Sequence, residues 1–92
     1  MAVTIRYWAA AKEAAGVGEE VYDAATLEEL IAAVVASRAL SGRAHPDDGR
    51  LSRVLAHCAF LVDGDPVGLR THASAVLAPG SVVEALPPFA GG

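Results

Sequence analysis

Residues 26–35 read TLEELIAAVV, and this stretch predicts the main helix of the fold. The Thr26 hydroxyl can cap the helix, while Glu29, three residues on, can reach back to the Thr26 amide and complete a capping box. Apolar residues then follow at the spacing of one helix face, namely Leu27, Leu30, Ile31, Val34 and Val35. We therefore expect a helix of about three and a half turns that packs one stripe against a core and ends at Ser41 and Gly42.

Patterns typical of strands lie on both sides of this helix. The predicted strands, in chain order, are residues 3–8, 19–23, 58–62, 65–68 and 81–86. The first of them alternates, which places Val3, Ile5 and Tyr7 on one face. The dipeptide Asp63-Gly64 tolerates positive φ in a tight turn, and a residue such as Pro66 lacks the amide proton that a central strand needs. We therefore expect a hairpin whose second strand lies at a sheet edge.

Shorter segments complete the expected order. Residues 9–15 favour a two-turn helix that Gly16 ends, and residues 51–55 suggest one or two further helical turns. The polar, turn-rich segment 42–50 is expected to be the most mobile part of the chain. The order β-β-α-β-β-β predicts a single two-layer α+β domain over residues 1–92, in which one sheet face is covered by the helix and the other is either polar or a docking surface.

Composition limits the classes of function. The chain has 92 residues, of which 53% are hydrophobic and 20 are alanine, and its mean hydropathy is +0.38. A domain of this size can bury one modest aliphatic core but not a cofactor as well. The net charge of −4, without a cluster of lysine and arginine in the sequence, argues against nucleic acid as a partner.

Cysteine use and the N-terminal sequence bear on location. The single Cys58 can form no internal disulfide and cannot alone supply a metal-ligand set. The chain opens without a basic and then apolar leader, and it contains no run of about twenty apolar residues. We therefore expect a cytoplasmic protein that does not span a membrane.

The chemistry is expected in the last six residues, 87–92, which read PPFAGG. Two prolines favour an extended exit from the last strand, and six residues reach at most about 20 Å, enough to enter a partner's active site. Terminal glycines can thread a channel too narrow for side chains. Their α-carboxylate is ionised at neutral pH and needs activation, which ATP can supply by forming an acyl-adenylate for attack by a sulfur nucleophile or a thiol. The alternative is a frayed end without function.

Other reactive residues point to no second site. Adjacent residues in a strand face opposite sides, so His57 and Cys58 are not expected to act as a base and nucleophile. His45 and His72 are isolated, and no spacing matches a metal site. Gly16-Val17-Gly18 lacks the remainder of a dinucleotide-binding fingerprint, which argues against nucleotide binding by this chain.

Several stretches together resemble the MoaD/ThiS sulfur-carrier family, and the resemblance covers nearly the whole chain. They are RYWAAAKEAAG at residues 6–16, TLEEL at 26–30, VDG at 62–64 and LAPGSVVEALPPFAGG at 77–92. The resemblance implies a β-grasp, ubiquitin-like fold with a mixed sheet. The ending is most similar to that of the small subunit of molybdopterin synthase. Two features depart from the family pattern: Ser81 stands where Asp is usual, and the polar segment 42–50 looks like added length.

The resemblance also implies roles for the tail. Gly92 would be adenylated and converted to a thiocarboxylate, and Gly91 would thread beside it. The residues expected to contact a partner are Leu86, Pro87, Pro88, Phe89 and Ala90, although Phe89 could equally fold back onto its own sheet edge. A ubiquitin-activating-type adenylyltransferase would use the ATP, and the large subunit of molybdopterin synthase would receive the sulfur. The chain itself would bind no cofactor and would not be a catalyst alone.

Two alternatives remain open at this stage. A carrier that serves thiamine thiazole or cysteine biosynthesis would use the same tail with another acceptor. A ubiquitin-like interaction module would never have its tail activated.

Overall fold

The computed structural model describes residues 2–40, 48–68 and 70–88 of the chain. The elements, in chain order, are β1 (Ala2–Tyr7), α1 (Ala9–Ala15), β2 (Glu19–Asp23), α2 (Leu27–Leu40), α3 (Asp48–His57), β3 (Ala59–Val62), β4 (Asp65–Pro66) and β5 (Val82–Leu86). A single 3-10 turn at His72–Ser74 lies between β4 and β5. The predicted order of strands and main helix is confirmed.

The strands described form one mixed sheet in the order β2-β1-β5-β3-β4. The central strand β5 runs parallel to β1, with Thr4 opposite Val82, and antiparallel to β3, with Phe60 opposite Ala85. Consecutive strands β1 and β2 form an antiparallel hairpin. The last strand in the chain therefore joins two halves of the sheet that come from earlier parts of the sequence.

One face of this sheet packs against α2. Alternation along β1 buries Val3, Ile5 and Tyr7, as predicted, because successive side chains of a strand point to opposite faces. The helix contributes the fully buried side chains of Leu27, Leu30 and Val34. Ile31 packs at the margin of the core. The expectation for Val35 was wrong: it is 38% exposed, because a residue eight positions after Leu27 lies about 80° around the helix from it.

The start of α2 has the predicted cap with one difference. The Glu29 amide donates to the Thr26 hydroxyl at 3.2 Å. The Glu29 carboxylate reaches one residue further back than predicted and accepts from the Ala25 amide at 2.8 Å, so each side chain satisfies an amide that lacks a helical partner. The predicted end of the helix at residues 41–42 lies outside the described residues.

The hairpin after β3 is confirmed. Asp63 and Gly64 have φ of 51° and 87°, as a tight hairpin turn requires. The edge position of Pro66 is also confirmed, but β4 is shorter than the predicted 65–68. Gly68, at φ 62°, turns the chain away from the sheet one residue after the Val67 amide makes its bond to the Phe60 carbonyl.

The region before β3 differs most from the prediction. Helix α3 has ten residues, Asp48–His57, instead of one or two turns, and residues 48–50, predicted as part of a loop, are its first turn. The rest of that segment, 42–47, lies outside the described residues. Cys58, predicted as the first residue of a strand, instead joins α3 to β3.

Candidate functional site

The candidate tail begins at the end of the central strand. Leu86, the last residue of β5, pairs with Ala59 of β3. On the other side, the Trp8 amide donates to the Ala85 carbonyl at 3.2 Å. Hydrogen bonds on both sides therefore fix the point from which the tail leaves the sheet.

The structure places three of the predicted tail residues. Leu86 is half-buried, Pro87 is buried and Pro88 is exposed. The tail thus changes from buried to solvent-exposed within two prolines, whose φ is restricted by their rings. The remaining predicted site residues, Phe89, Ala90, Gly91 and Gly92, lie outside the described residues, so their roles stay predictions.

The start of β5 is fixed by a polar network around Ser81. Ser81 is buried, accepts a hydrogen bond from the Ala78 amide at 2.9 Å, and donates one to Asp63 Oδ2 at 3.0 Å. Asp63 Oδ1 accepts from the Val82 amide at 2.8 Å. The family resemblance leads one to expect Asp at position 81. In this chain the residue is Ser81, and its hydroxyl is paired with the carboxylate of Asp63 from the neighbouring hairpin turn.

The sheet face opposite α2 is uncovered in the described residues. Because β1, β3 and β5 alternate, this face carries Thr4, Arg6, Leu61, Val82 and Glu84. Arg6 Nε lies 3.2 Å from Glu19 Oε2, and both side chains are more than half exposed. On β2, Val21 is 64% exposed. The face mixes aliphatic and charged groups, so it fits neither a purely polar surface nor a purely apolar one.

A groove beside the base of the tail was not predicted. It has a volume of about 300 Å³ and is lined by Ala10, Arg50, Arg53, Val54, His57, Pro87 and Pro88. We call it the α3 groove. Helix α3 brings two arginines and a histidine onto one face. The spacing 50, 53, 54, 57 was the available signal, since residues three and four apart share a helix face.

The thiol of Cys58 is expected to be unreactive at neutral pH. Desolvation by burial raises the pKa of its thiol to about 11, so it is protonated at neutral pH and a poor nucleophile. Its Sγ donates to the Val54 carbonyl. The premise that His57 and Cys58 share a strand was wrong, because His57 ends α3 and Cys58 follows it.

The remaining candidates have structural surroundings. The ring of His72 meets Phe60 edge-on, with centroids 5.3 Å apart, and His45 lies outside the described residues. Gly16, at φ 80°, caps the end of α1 through its amide. In the part of the chain that the structure describes, no group of three or more His, Cys, Asp or Glu side chains could hold a metal ion. Over the same residues, no helix is long and apolar enough to cross a membrane.

Comparisons with known proteins agree on the fold. The sequence matches the ThiS family over residues 5–92. The structure resembles SAMP1 from Haloferax volcanii, with 27% identity over all of both chains and a TM-score of 0.69. It also resembles a chain in the complex of subunits 1 and 2 of the molybdopterin-converting factor from Helicobacter pylori, with 24% identity over all of both chains and a TM-score of 0.64.

A third similar structure is CysO from Mycobacterium tuberculosis, with 22% identity over 95% of this chain and 99% of that one, and a TM-score of 0.64. A comparison with curated proteins finds none that matches this sequence. These likenesses confirm the α+β, ubiquitin-like β-grasp fold.

Proposed function

Because the chain belongs to the ThiS family, we propose that it is a sulfur carrier whose Gly92 carboxylate bears the sulfur. The observation that carries the proposal is a family match that extends through residue 92. The matched region includes the tail, which leaves the central strand at Pro87 and Pro88. The tail starts from a strand that is hydrogen-bonded on both sides and ends in two glycines without side chains. Such a tail suits a terminal carboxylate that other proteins must bind in an active site.

The proposed chemistry begins with a carboxylate that is unreactive by itself. A carboxylate oxygen of Gly92 attacks the α-phosphorus of ATP, pyrophosphate leaves, and an acyl-adenylate forms. A sulfide-level nucleophile then attacks the carbonyl carbon, the bond to AMP breaks, and a thiocarboxylate remains. This chain supplies the reacting carbonyl group. The four residues beyond Pro88 can carry that group at most about 14 Å away from Pro88. An adenylyltransferase supplies the ATP site and the catalytic residues.

We assign the carrier to molybdopterin synthesis as the small subunit of molybdopterin synthase. The PPFAGG ending supports this assignment, and so does the likeness to a chain of the Helicobacter pylori molybdopterin-converting factor. In this assignment Leu86, Pro87, Pro88, Phe89 and Ala90 contact the large subunit, and Gly91 passes its channel beside Gly92. The large subunit holds the pterin and the catalytic groups, so this chain is a substrate-like subunit and not a catalyst alone.

Intact-mass spectrometry tests the tail chemistry. The full chain is incubated with the adenylyltransferase, ATP and a sulfide source, and we expect the mass change of one oxygen replaced by sulfur. A variant with one alanine appended after Gly92 is the matched control: it should stay folded, since the addition lies beyond the described fold, and should show no change. An unchanged mass of the native chain, with an adenylyltransferase that charges its own carrier in parallel, overturns the proposal and favours an interaction module whose tail is never activated.

The acceptor is tested separately. The thiocarboxylated chain is mixed with the large subunit and the pterin precursor, and we expect sulfur in the pterin product. Transfer to a thiazole or cysteine precursor instead, with none to the pterin, retains the sulfur carrier and replaces the molybdopterin assignment.

A further inference from the structure

The α3 groove combines apolar walls with positive charge. Its apolar part is formed by Ala10, Val54, Pro87 and Pro88, and its positive charge comes from Arg50 and Arg53, with the ring of His57 beside them. Helices α1 and α3 pack against each other, so the groove is a surface feature between ordered elements of the fold.

Its positive charge is poorly compensated within the chain. Arg50 Nη2 lies 3.7 Å from Glu13 Oε2, and the two side chains are 43% and 75% exposed, so solvent screens this pair strongly. Among the carboxylates whose side chains the structure describes, none forms an ion pair with Arg53. In a chain with a net charge of −4, Arg50 and Arg53 therefore place positive charge beside the base of the tail.

The groove lies at the base of the tail, so a protein that binds the tail is a candidate to cover it. This argument rests on the proposed function. Pro88 lines the groove, and the tail can extend only about 14 Å beyond it. A partner that takes Gly92 into an active site must therefore come close to Pro88, and the groove that Pro88 lines is a neighbouring surface within its reach. Covering an arginine without an anion is unfavourable, so a partner that covers the groove is expected to supply carboxylates.

We propose that the α3 groove docks an acidic segment of the protein that receives the tail, with carboxylates facing Arg50 and Arg53 and an apolar side chain against Val54 and the two prolines. Charge complementarity gives this contact its specificity and speeds the encounter. Nucleic acid fits less well, because the net negative charge of the whole chain opposes it.

A peptide titration tests the groove without any activating enzyme. The probe is a hexapeptide that alternates glutamate and leucine and is blocked at both ends, added to the full chain while backbone amide resonances are followed by NMR. We expect saturable shifts at Ala10, Arg53 and His57, and weaker binding at high salt because exposed charges are screened. The same peptide with glutamine in place of glutamate should bind much less.

Charge reversal provides the matched variants. Arg53→Glu should weaken peptide binding about tenfold, whereas Lys12→Glu, the same charge change at an exposed position of α1 outside the groove, should leave the affinity within about twofold. Unaltered amide dispersion in both variants shows that they fold. Equal weakening by both variants would mean a general charge effect and would overturn the proposed site.

Other occupants give distinct results. The proposal that an acidic segment occupies the groove is overturned if the glutamine peptide binds as tightly as the glutamate peptide. It is also overturned if the resonance shifts occur only on the open sheet face, at Thr4 and Glu84. Displacement of the acidic peptide by the tetrapeptide of residues 89–92 would identify the chain's own tail as the occupant and also overturn it. The titration does not require Gly92 to be adenylated or to carry sulfur. If the peptide does not bind, the mass change at Gly92 can still be observed. If the mass change is absent, peptide binding can still be measured.

Discussion

Ser81 is the residue whose side chain fixes the beginning of the central strand. Replacing it with alanine removes an acceptor from the Ala78 amide and a donor to Asp63, so two part-buried hydrogen bonds are lost, one of them to a carboxylate. We expect Ser81→Ala to lower the free energy of unfolding by about 1–3 kcal/mol, measured by urea denaturation. Ser52→Ala, at an exposed position of α3, is the control and should change it by less than about 0.5 kcal/mol. Equal effects would show that the network contributes nothing specific.

Cys58 gives a prediction about pH. Its thiol pKa is raised from 9.0 to about 11 by burial, so at pH 8 the folded protein should react with iodoacetamide about a hundredfold more slowly than an unstructured peptide. The unfolded chain loses this proton first as pH rises. The thiol therefore destabilises the fold progressively from about pH 9 to pH 11 and has no such effect below.

The measurement is the alkylation rate from pH 7 to pH 11, with the urea-unfolded chain as the control. A folded-state rate equal to that of the unfolded chain at pH 8 would contradict the burial of this thiol. In Cys58→Ser the loss of stability between pH 9 and pH 11 should be smaller.

At the scale of elements, the capping interactions of α2 are separable from its packing. Thr26→Ala leaves the Glu29 amide without its side-chain acceptor and should cost about 1 kcal/mol. Thr26→Ser keeps an acceptor oxygen and should recover most of that loss. Thermal and urea unfolding of the three proteins measure the difference, and an alanine variant as stable as the serine one would rule out the cap as a source of stability.

Elements with local signals could be predicted from the sequence, and those set by distant contacts could not. The Thr26 cap, the turn at Asp63 and Gly64, and the alternation around Ile5 depend on neighbours within a few residues. The length of α3 depends on packing against α1, and the groove depends on residues 50–57 meeting Pro87 and Pro88, which are far away in sequence. The reach of Glu29 to Ala25 was missed because a flexible side chain can select either of two nearby amides.

The candidate site divides in the same way. The exit of the tail after a strand, through two prolines, was readable from residues 86–88. Its position at the middle of the sheet followed only from the pairing of β5 with both β1 and β3. The reactivity assigned to Gly92 comes from the family and from the chemistry of a carboxylate, since that residue lies outside the described structure.

At the scale of the whole molecule, stability depends on one core cluster, in which α2 and α3 bury side chains against the sheet. Leu30 is fully buried there, and Leu30→Ala should lower the free energy of unfolding by about 2–5 kcal/mol. Val35→Ala, on the same helix but 38% exposed, should cost less than about 1 kcal/mol. Urea denaturation measures both, and similar losses would contradict the placement of the helix faces.

The pairing of β5 on both of its sides also has a mechanical consequence. A protein that draws residues beyond Pro88 into a channel pulls lengthwise on the strand at the centre of the sheet. That tension acts in shear on the rows of hydrogen bonds to β1 and β3 together, so they resist as a group and do not open one by one. A pull on the tail is therefore shared between two neighbouring strands, and the central strand can stay paired while it bears the load.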